Sequence, residues 1–168
     1  MKKLCGLLLW LVSSTGCVEA QDSAEPWAAP RHADRKRHTL ERYFNELFNQ
    51  GKVELVPELL HPRYVNGSPG SPDLPRGRDG VVIVVQALRR AFPDLHYTIE
   101  DMVIGSDAIA VRTTLRGTHR GDFFGHPPTG KSVEVSQITI ERFHEGKIIA
   151  HHRVTDELAL QRQLGFVH

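Results

Sequence analysis

The sequence predicts an α+β fold in which N-terminal helices are wrapped by a curved antiparallel sheet, closing into a cone. Two observations carry this. As far as Phe92, apolar residues recur at spacings of three and four, the period of a helix face. From His96 onward the period drops to two, in four strand-like stretches divided by turn signals. A third observation bounds the answer. The chain has 168 residues and two cysteines, Cys5 and Cys17, both within its first twenty positions. The folded part must therefore rely on a core rather than on disulfides. A mature chain of about 150 residues can bury roughly 68–70% of its unfolded surface, enough for one domain.

Residues 1–20 carry a positive start, "MKK", an apolar run, "LCGLLLWLV", and a small-residue end, "SSTGCVEA". This is an export signal, too short in its apolar part for a bilayer span. Val18 and Ala20 suit cleavage before Gln21. Thr15-Gly16-Cys17 resembles a lipobox instead, with Ser14 in place of the usual leucine, so lipidation of Cys17 stays open. Either route takes the protein out of the cytoplasm, and a lipid on Cys17 would be its one link to a membrane. Residues 21–35 are Ala-, Pro- and polar-rich and read as a flexible linker. The domain runs over 36–168, and "RKRH" reads as a solvated lead-in to its first helix.

In "HTLERYFNELFNQG", Leu40, Tyr43, Phe44, Leu47 and Phe48 form an apolar stripe, with Thr39 as N-cap and Gly51 as stop. "VELVPELL" is a short second helix with Pro57 in its opening turns. "PRYVNG" is extended, and "SPGSPDLPRG" is a turn-rich loop. "RDGVVIVVQALRRAF" is a third helix despite its Val-Ile-Val-Val run, closed by Pro93. The strands are "HYTIEDMVIGSD", "AIAVRTTLRGTHRG", "KSVEVSQITIERFHEG" and "KIIAHHRVTD", and "ELALQRQLG" is a last short helix.

Strand residues alternate faces. Ile109, Val111, Thr113, Leu115 and His119 form the more apolar, inward set of their strand. Val133, Val135, Gln137 and Thr139 oppose Glu134, Ser136, Ile138 and Ile140, with neither face cleanly polar. That suits a sheet covered on both sides, for example in a homodimer. Ile149, His151 and Arg153 share a face of the last strand. His119 reads equally as a pocket residue or a satisfied structural histidine, Gln137 and Thr139 as donors or cross-strand partners. Arg153 beside Asp156 is either an ion pair or a substrate anchor.

Several classes are excluded. A formal net charge of +1 leaves no footprint for nucleic acid. There is no phosphate loop, dinucleotide fingerprint or nucleophile elbow. His151 and His152 are adjacent and point to opposite faces, so they cannot ligate together, and no metal box is present. Any chemistry would be proton transfer without cofactor or metal.

"GTHRGDFFGHPPTGKSVEVSQITIERFHEGKI" with the trailing "RQLG", and the opening "YFNELFNQGKVELVPELLHPRYVN", resemble the SnoaL-like polyketide cyclase (ester cyclase) branch of the nuclear transport factor 2-like superfamily. The resemblance covers about 36–165. It implies a cystatin-like α+β cone, dimerisation through the sheet, and ring closure by intramolecular aldol condensation without a cofactor. Phe123, Phe124, Pro127 and Pro128 would form an apolar lip to a hydrophobic pocket. Asp156, Gln163, Leu164 and Gly165 carry over. Arg153, however, stands where the family carries its pocket carboxylate, Thr139 where it carries a histidine, and His152 where it carries a tryptophan.

The expected function is that of an exported SnoaL-like protein taking a small carbonyl-bearing or apolar molecule. In a catalytic version His119 is the acid/base, Arg153 holds oxyanion charge and Asp156 orients Arg153. Gln137 and Thr139 support them, and Phe123, Phe124 and His151 contact substrate. Two alternatives stand beside it: a binding module without catalysis, and a hydrolase or isomerase using the Arg153/Asp156 pair.

Overall fold

The computed structural model describes residues 31–167 except 69 and 71. The expected export signal, Cys17 and most of the stretch read as linker lie outside these residues. The order of elements is α1 (Arg31–Arg42), running into a wider π turn over Tyr43–Phe48, then a 3-10 turn (Val53–Leu55) leading to α2 (Val56–Leu59). β1 (Leu60–Asn66), α3 (Arg78–Ala91), β2 (His96–Ile104), β3 (Ala108–Thr118), β4 (Ser132–His144), β5 (Lys147–Thr155) and α4 (Glu157–Leu164) follow. The five strands form one sheet in the order β1-β5-β4-β3-β2, and it does not close. The four predicted strands pair antiparallel, as the alternation implied. The extended "PRYVNG" segment joins them as β1, parallel to β5.

Three features depart from the sequence expectation. α1 reaches back to Arg31, so its first turn lies in the stretch read as linker. Thr39 is then inside the helix, its hydroxyl donating to the Arg35 and Gly146 carbonyls rather than capping. Lys36 of "RKRH" is buried, not solvated. Its ammonium ties the β2–β3 hairpin to α1 through the Gly105 and Ser106 carbonyls at 2.5 and 2.8 Å.

The π turn places Tyr43, Phe44, Leu47 and Phe48 together against the sheet. Gly51, at φ 72°, ends this run as expected. Asn49 fixes its end by acting as a strand partner, donating to the Tyr97 carbonyl and accepting from the Tyr97 N–H. The core is one cluster, in which these residues meet Leu40, Val85, Phe92, Tyr97, Ile109, Val111, Val135 and Ile148. Two bulges bend the strands. Glu100 is the extra residue where β2 shifts register on β3, and Ile149 where β5 shifts on β4. The second turns Ile148 into the core where the strict alternation placed Ile149.

Gly80, in the first turn of α3, lets the preceding loop lie directly on the helix, since a Cβ there would sit 1.8 Å from the Pro75 carbonyl oxygen. Gly80→Ala is expected to cost about 1–3 kcal/mol, the usual range for overpacking. An unchanged melting temperature would contradict this packing.

Candidate functional site

β4 alternates without a break between buried and exposed residues over its whole length. Its inward row is Val133, Val135, Gln137, Thr139, Glu141 and Phe143. The neighbouring inward residues follow from register: Ile109 and His151 flank Glu141, Val111 and Arg153 flank Thr139, and Thr113 and Thr155 flank Gln137. The lower half of the concave face is therefore polar, although helices and strands bury it.

Glu141 is the candidate site residue that the sequence analysis did not single out. Its side chain has 0% exposure, and its Oε1 accepts from His151 Nδ1 at 2.7 Å. Burying a carboxyl group without partners costs several kcal/mol, so this hydrogen bond is a requirement of the fold. With Nδ1 donating, His151 Nε2 is left with a lone pair and has no hydrogen-bond partner among the described residues. The second carboxyl oxygen, Glu141 Oε2, is buried and unpartnered. Tyr64 Oη, Thr113 Oγ1 and Thr139 Oγ1 are in the same state. Buried polar atoms are nearly always satisfied, so such a group on one face marks a place built for solvent or a ligand.

Two charges act on the phenols around this row. Tyr43 and Tyr64 are held well above the usual phenol range, by burial first and with Glu141 adding to it. Tyr97 is pushed up to about 12 by burial, against the positive charge of Arg153, which works the other way. Half-buried Arg153 shares the inward direction of Thr139, its register partner on β4. Its backbone N–H donates to Ser68 Oγ, and a Cβ on Gly70 would lie 3.7 Å from Nη2. His152 is exposed on the opposite face, as the alternation required.

His119 lies elsewhere. It follows the Thr118–Ser132 pair, seven residues along β4 from Thr139, or about 20 Å of strand at 3.3 Å per residue. Its Nδ1 accepts from the Thr129 N–H at 3.2 Å, and its backbone exchanges hydrogen bonds with Lys131 and Gly130. Phe92, Phe123 and Phe166 enclose the ring, with centroids 5.3, 6.1 and 5.9 Å away. With 0% exposure it anchors the loop after β3, but its Nε2 is buried without a hydrogen-bond partner, so it is not the fully satisfied structural histidine of the two alternatives.

That loop explains its own composition. Phe123 packs into the core on Phe92 at 5.2 Å, while Phe124, at φ 51° and 63% exposed, projects from the rim. The Phe124 Cζ and Arg153 Nη2 both approach Gly70, so the loop after β3 and the cation lie beside the same stretch of chain. His126 stacks on Phe166 at 3.9 Å, pinning the loop to the chain beyond α4.

Asp156 does not orient Arg153. It is the N-cap of α4, accepting from the Ala159 N–H at 2.9 Å, and no ion pair joins it to Arg153 among the described residues. The Arg153/Asp156 pair required by the hydrolase alternative is thereby absent, and His119, Arg153 and Asp156 do not converge. Gln137 accepts from the Thr155 hydroxyl at 3.1 Å, its cross-strand alternative. His61, His144 and Glu145 bring three ligand atoms within 4.8 Å of one another at the β4–β5 hairpin. His61 Nδ1 there already accepts the Arg63 N–H, and Arg63 and Arg78 lie close enough to disfavour a cation. Two open clefts, of about 570 and 270 Å³, border α1; the first shares no residue with the inward row of β4, and the second touches only its end, at Phe143.

The geometry is that of an open α+β cone with a buried carboxyl–imidazole pair, and comparison with known proteins is more specific. The family model for SnoaL-like polyketide cyclases matches residues 38–164. The chain is 32% identical over 124 residues to the aklanonic acid methyl ester cyclase AcmA of Streptomyces galilaeus, covering 71% of this chain and 84% of that one. It is 33% identical over 131 residues to the corresponding cyclase DnrD of Streptomyces peucetius, covering 75% and 88%. Among solved structures, TsrD from Streptomyces laurentii superposes with a TM-score of 0.74 at 27% identity over 83% of this chain and 99% of that one. IdmH from Streptomyces antibioticus gives 0.66 at 34%, over 77% and 98%. The chain belongs to the SnoaL-like polyketide cyclase family.

The capping role of Asp156 is directly testable. Asp156→Ala is expected to cost about 1 kcal/mol, the typical value of an N-cap, while Asp156→Asn should cost far less. Equal losses in thermal melts of the two variants would point away from a cap.

Proposed function

We propose that the protein performs cofactor-free acid/base catalysis on a small carbonyl compound, with His151 as the base and Glu141 holding it in place. The observation that carries this is the 2.7 Å contact from His151 Nδ1 to a fully buried Glu141, which leaves Nε2 free. A base oriented by a carboxyl group is the arrangement that proton abstraction needs. The resemblance implies a carboxylate at position 153 and a histidine at 139. One inward step along the same two strands, the pair recurs with the residue types exchanged between strands.

In the reaction, Nε2 takes a proton from a carbon beside a carbonyl, and the C–H electron pair moves into an enolate. The enolate carbon bonds to a second carbonyl carbon of the same molecule, and the proton returns from His151 to the alkoxide formed there. Arg153 and the Thr139 hydroxyl lie on the adjacent rung, where a fixed positive charge and a donor lower the energy of developing oxyanion. The substrate would enter beside Phe124 and Gly70, past an aromatic rim suited to polycyclic molecules. AcmA and DnrD are named for acting on aklanonic acid methyl ester, which sets the size of substrate to try.

Two further parts of the reading concern context. A homodimer would cover the outer sheet face, where Ile138, Ile140 and Val154 are exposed, the last by 77%. Export rests on the pattern of residues 1–20, and the mass of the mature N-terminus tests it. No described helix is long and apolar enough to cross a membrane.

Ring closure of aklanonic acid or its methyl ester, followed chromatographically at constant mass, tests the chemistry. Glu141→Gln should lower kcat by about 10²–10⁴ and leave KM within about twofold, as loss of a positioned base does. His151→Gln should do the same, and wild-type turnover in either variant would remove the dyad from the mechanism. Val154→Glu should yield monomers in light scattering, whereas a dimer in that variant would place the interface elsewhere.

A further inference from the structure

We propose that Arg153 makes this site selective for a substrate bearing a free carboxylate, in preference to the neutral ester of the same skeleton. The proposal rests on the reading of the concave face as the site. It starts from an unpaired charge. Arg42, Arg116 and Arg142 meet Glu46 and Glu58, Glu134, and Asp107, and Arg78 and Arg89 donate to backbone carbonyls. The half-buried Arg153 guanidinium meets no such partner among the described residues, although it faces inward and acts electrostatically on Tyr64 and Tyr97. A guanidinium is always charged and presents a planar fork that matches a carboxylate through two hydrogen bonds.

Its surroundings add three arguments. Gly70 passes beside the fork and brings no competing side-chain acceptor to it; a Cβ there would stand at ordinary van der Waals distance, 3.7 Å, from Nη2. Thr139 Oγ1, across the strand pair from Arg153, is buried without a partner and can serve the same anion. Glu141 is engaged with His151 one rung further on. It would repel a second carboxylate, which sets the direction of binding. The anionic end is held at Arg153 and the enolisable carbon at His151, about 7 Å apart along β5 at 3.3 Å per residue. One cation with one hydroxyl suits a singly charged carboxylate better than a phosphate. A methyl ester offers the fork only a neutral acceptor, and charge-assisted hydrogen bonds are roughly twice as strong as neutral ones.

Calorimetric titration with anthraquinone-2-carboxylate and with its methyl ester tests the proposal. The wild-type protein should bind the carboxylate at least about tenfold more tightly, equivalent to about 1.4 kcal/mol. Arg153→Gln should bring the two affinities together, and Arg153→Lys should keep only part of the preference. Arg153 makes no side-chain bond among the described residues, so both variants should melt close to wild type. Equal binding of acid and ester by the wild-type protein, or a preference that survives Arg153→Gln, overturns the selectivity and leaves the concave site standing. Binding of neither probe overturns the selectivity and the site together.

Discussion

A carboxyl group with no exposed surface sits in the last third of the longest strand, and its burial is the constraint on which the rest depends. Glu141 occupies an inward slot between Thr139 and Phe143, where alternation permits no escape to solvent without reversing the strand. One of its oxygens is satisfied by His151 on the neighbouring strand. The other is not satisfied by any described group, and the same holds for the hydroxyls of Tyr64, Thr113 and Thr139 around it. Core packing alone would favour an apolar residue at this position. A buried pair kept at the expense of stability, with open hydrogen-bonding capacity beside it, is better understood as a site than as a fastening.

The scaffold suits that role because the pair is held by strands rather than loops. Glu141 and His151 are register partners in an antiparallel ladder, so their separation is fixed by backbone hydrogen bonds on both sides. The bulge at Ile149, immediately before this rung, returns Ile148 to the core while His151 and Arg153 keep their inward direction. The aromatic loop after β3 is braced independently, by His119 at its base and by the Phe166–His126 stack at its tip. The aromatic loop and the buried pair are thus supported by different parts of the fold.

Much of this was legible in the sequence. The period change at His96, the strand stretches, the inward set on β3 and the closing helix all appear as the alternation and turn residues implied, because those signals are local. The failures share a cause, which is that each depends on a distant partner. Lys36 looked like part of a solvated basic cluster until two hairpin carbonyls some seventy residues later accounted for its burial. Asp156 has the charge to orient Arg153, but the start of a helix claims it first. The bulge at Ile149 exists only in the pairing. Glu141 is different, since extending the Val133–Thr139 alternation by one step would have turned it inward. A charged residue there reads as solvent-facing unless its partner on the next strand is also identified, and His151, read as a substrate contact, was not linked to it.

The central claim is that Glu141 sets the orientation and tautomer of His151. Long-range ¹⁵N–¹H correlation spectra of the neutral imidazoles report this directly. The account predicts that His151 carries its proton on Nδ1, that Glu141→Gln disturbs this signal, and that His119 shows the opposite tautomer, protonated on Nε2. A wild-type His151 protonated on Nε2 would mean that the ring is not held by the buried carboxyl group, and the proposed base would have no free lone pair to offer.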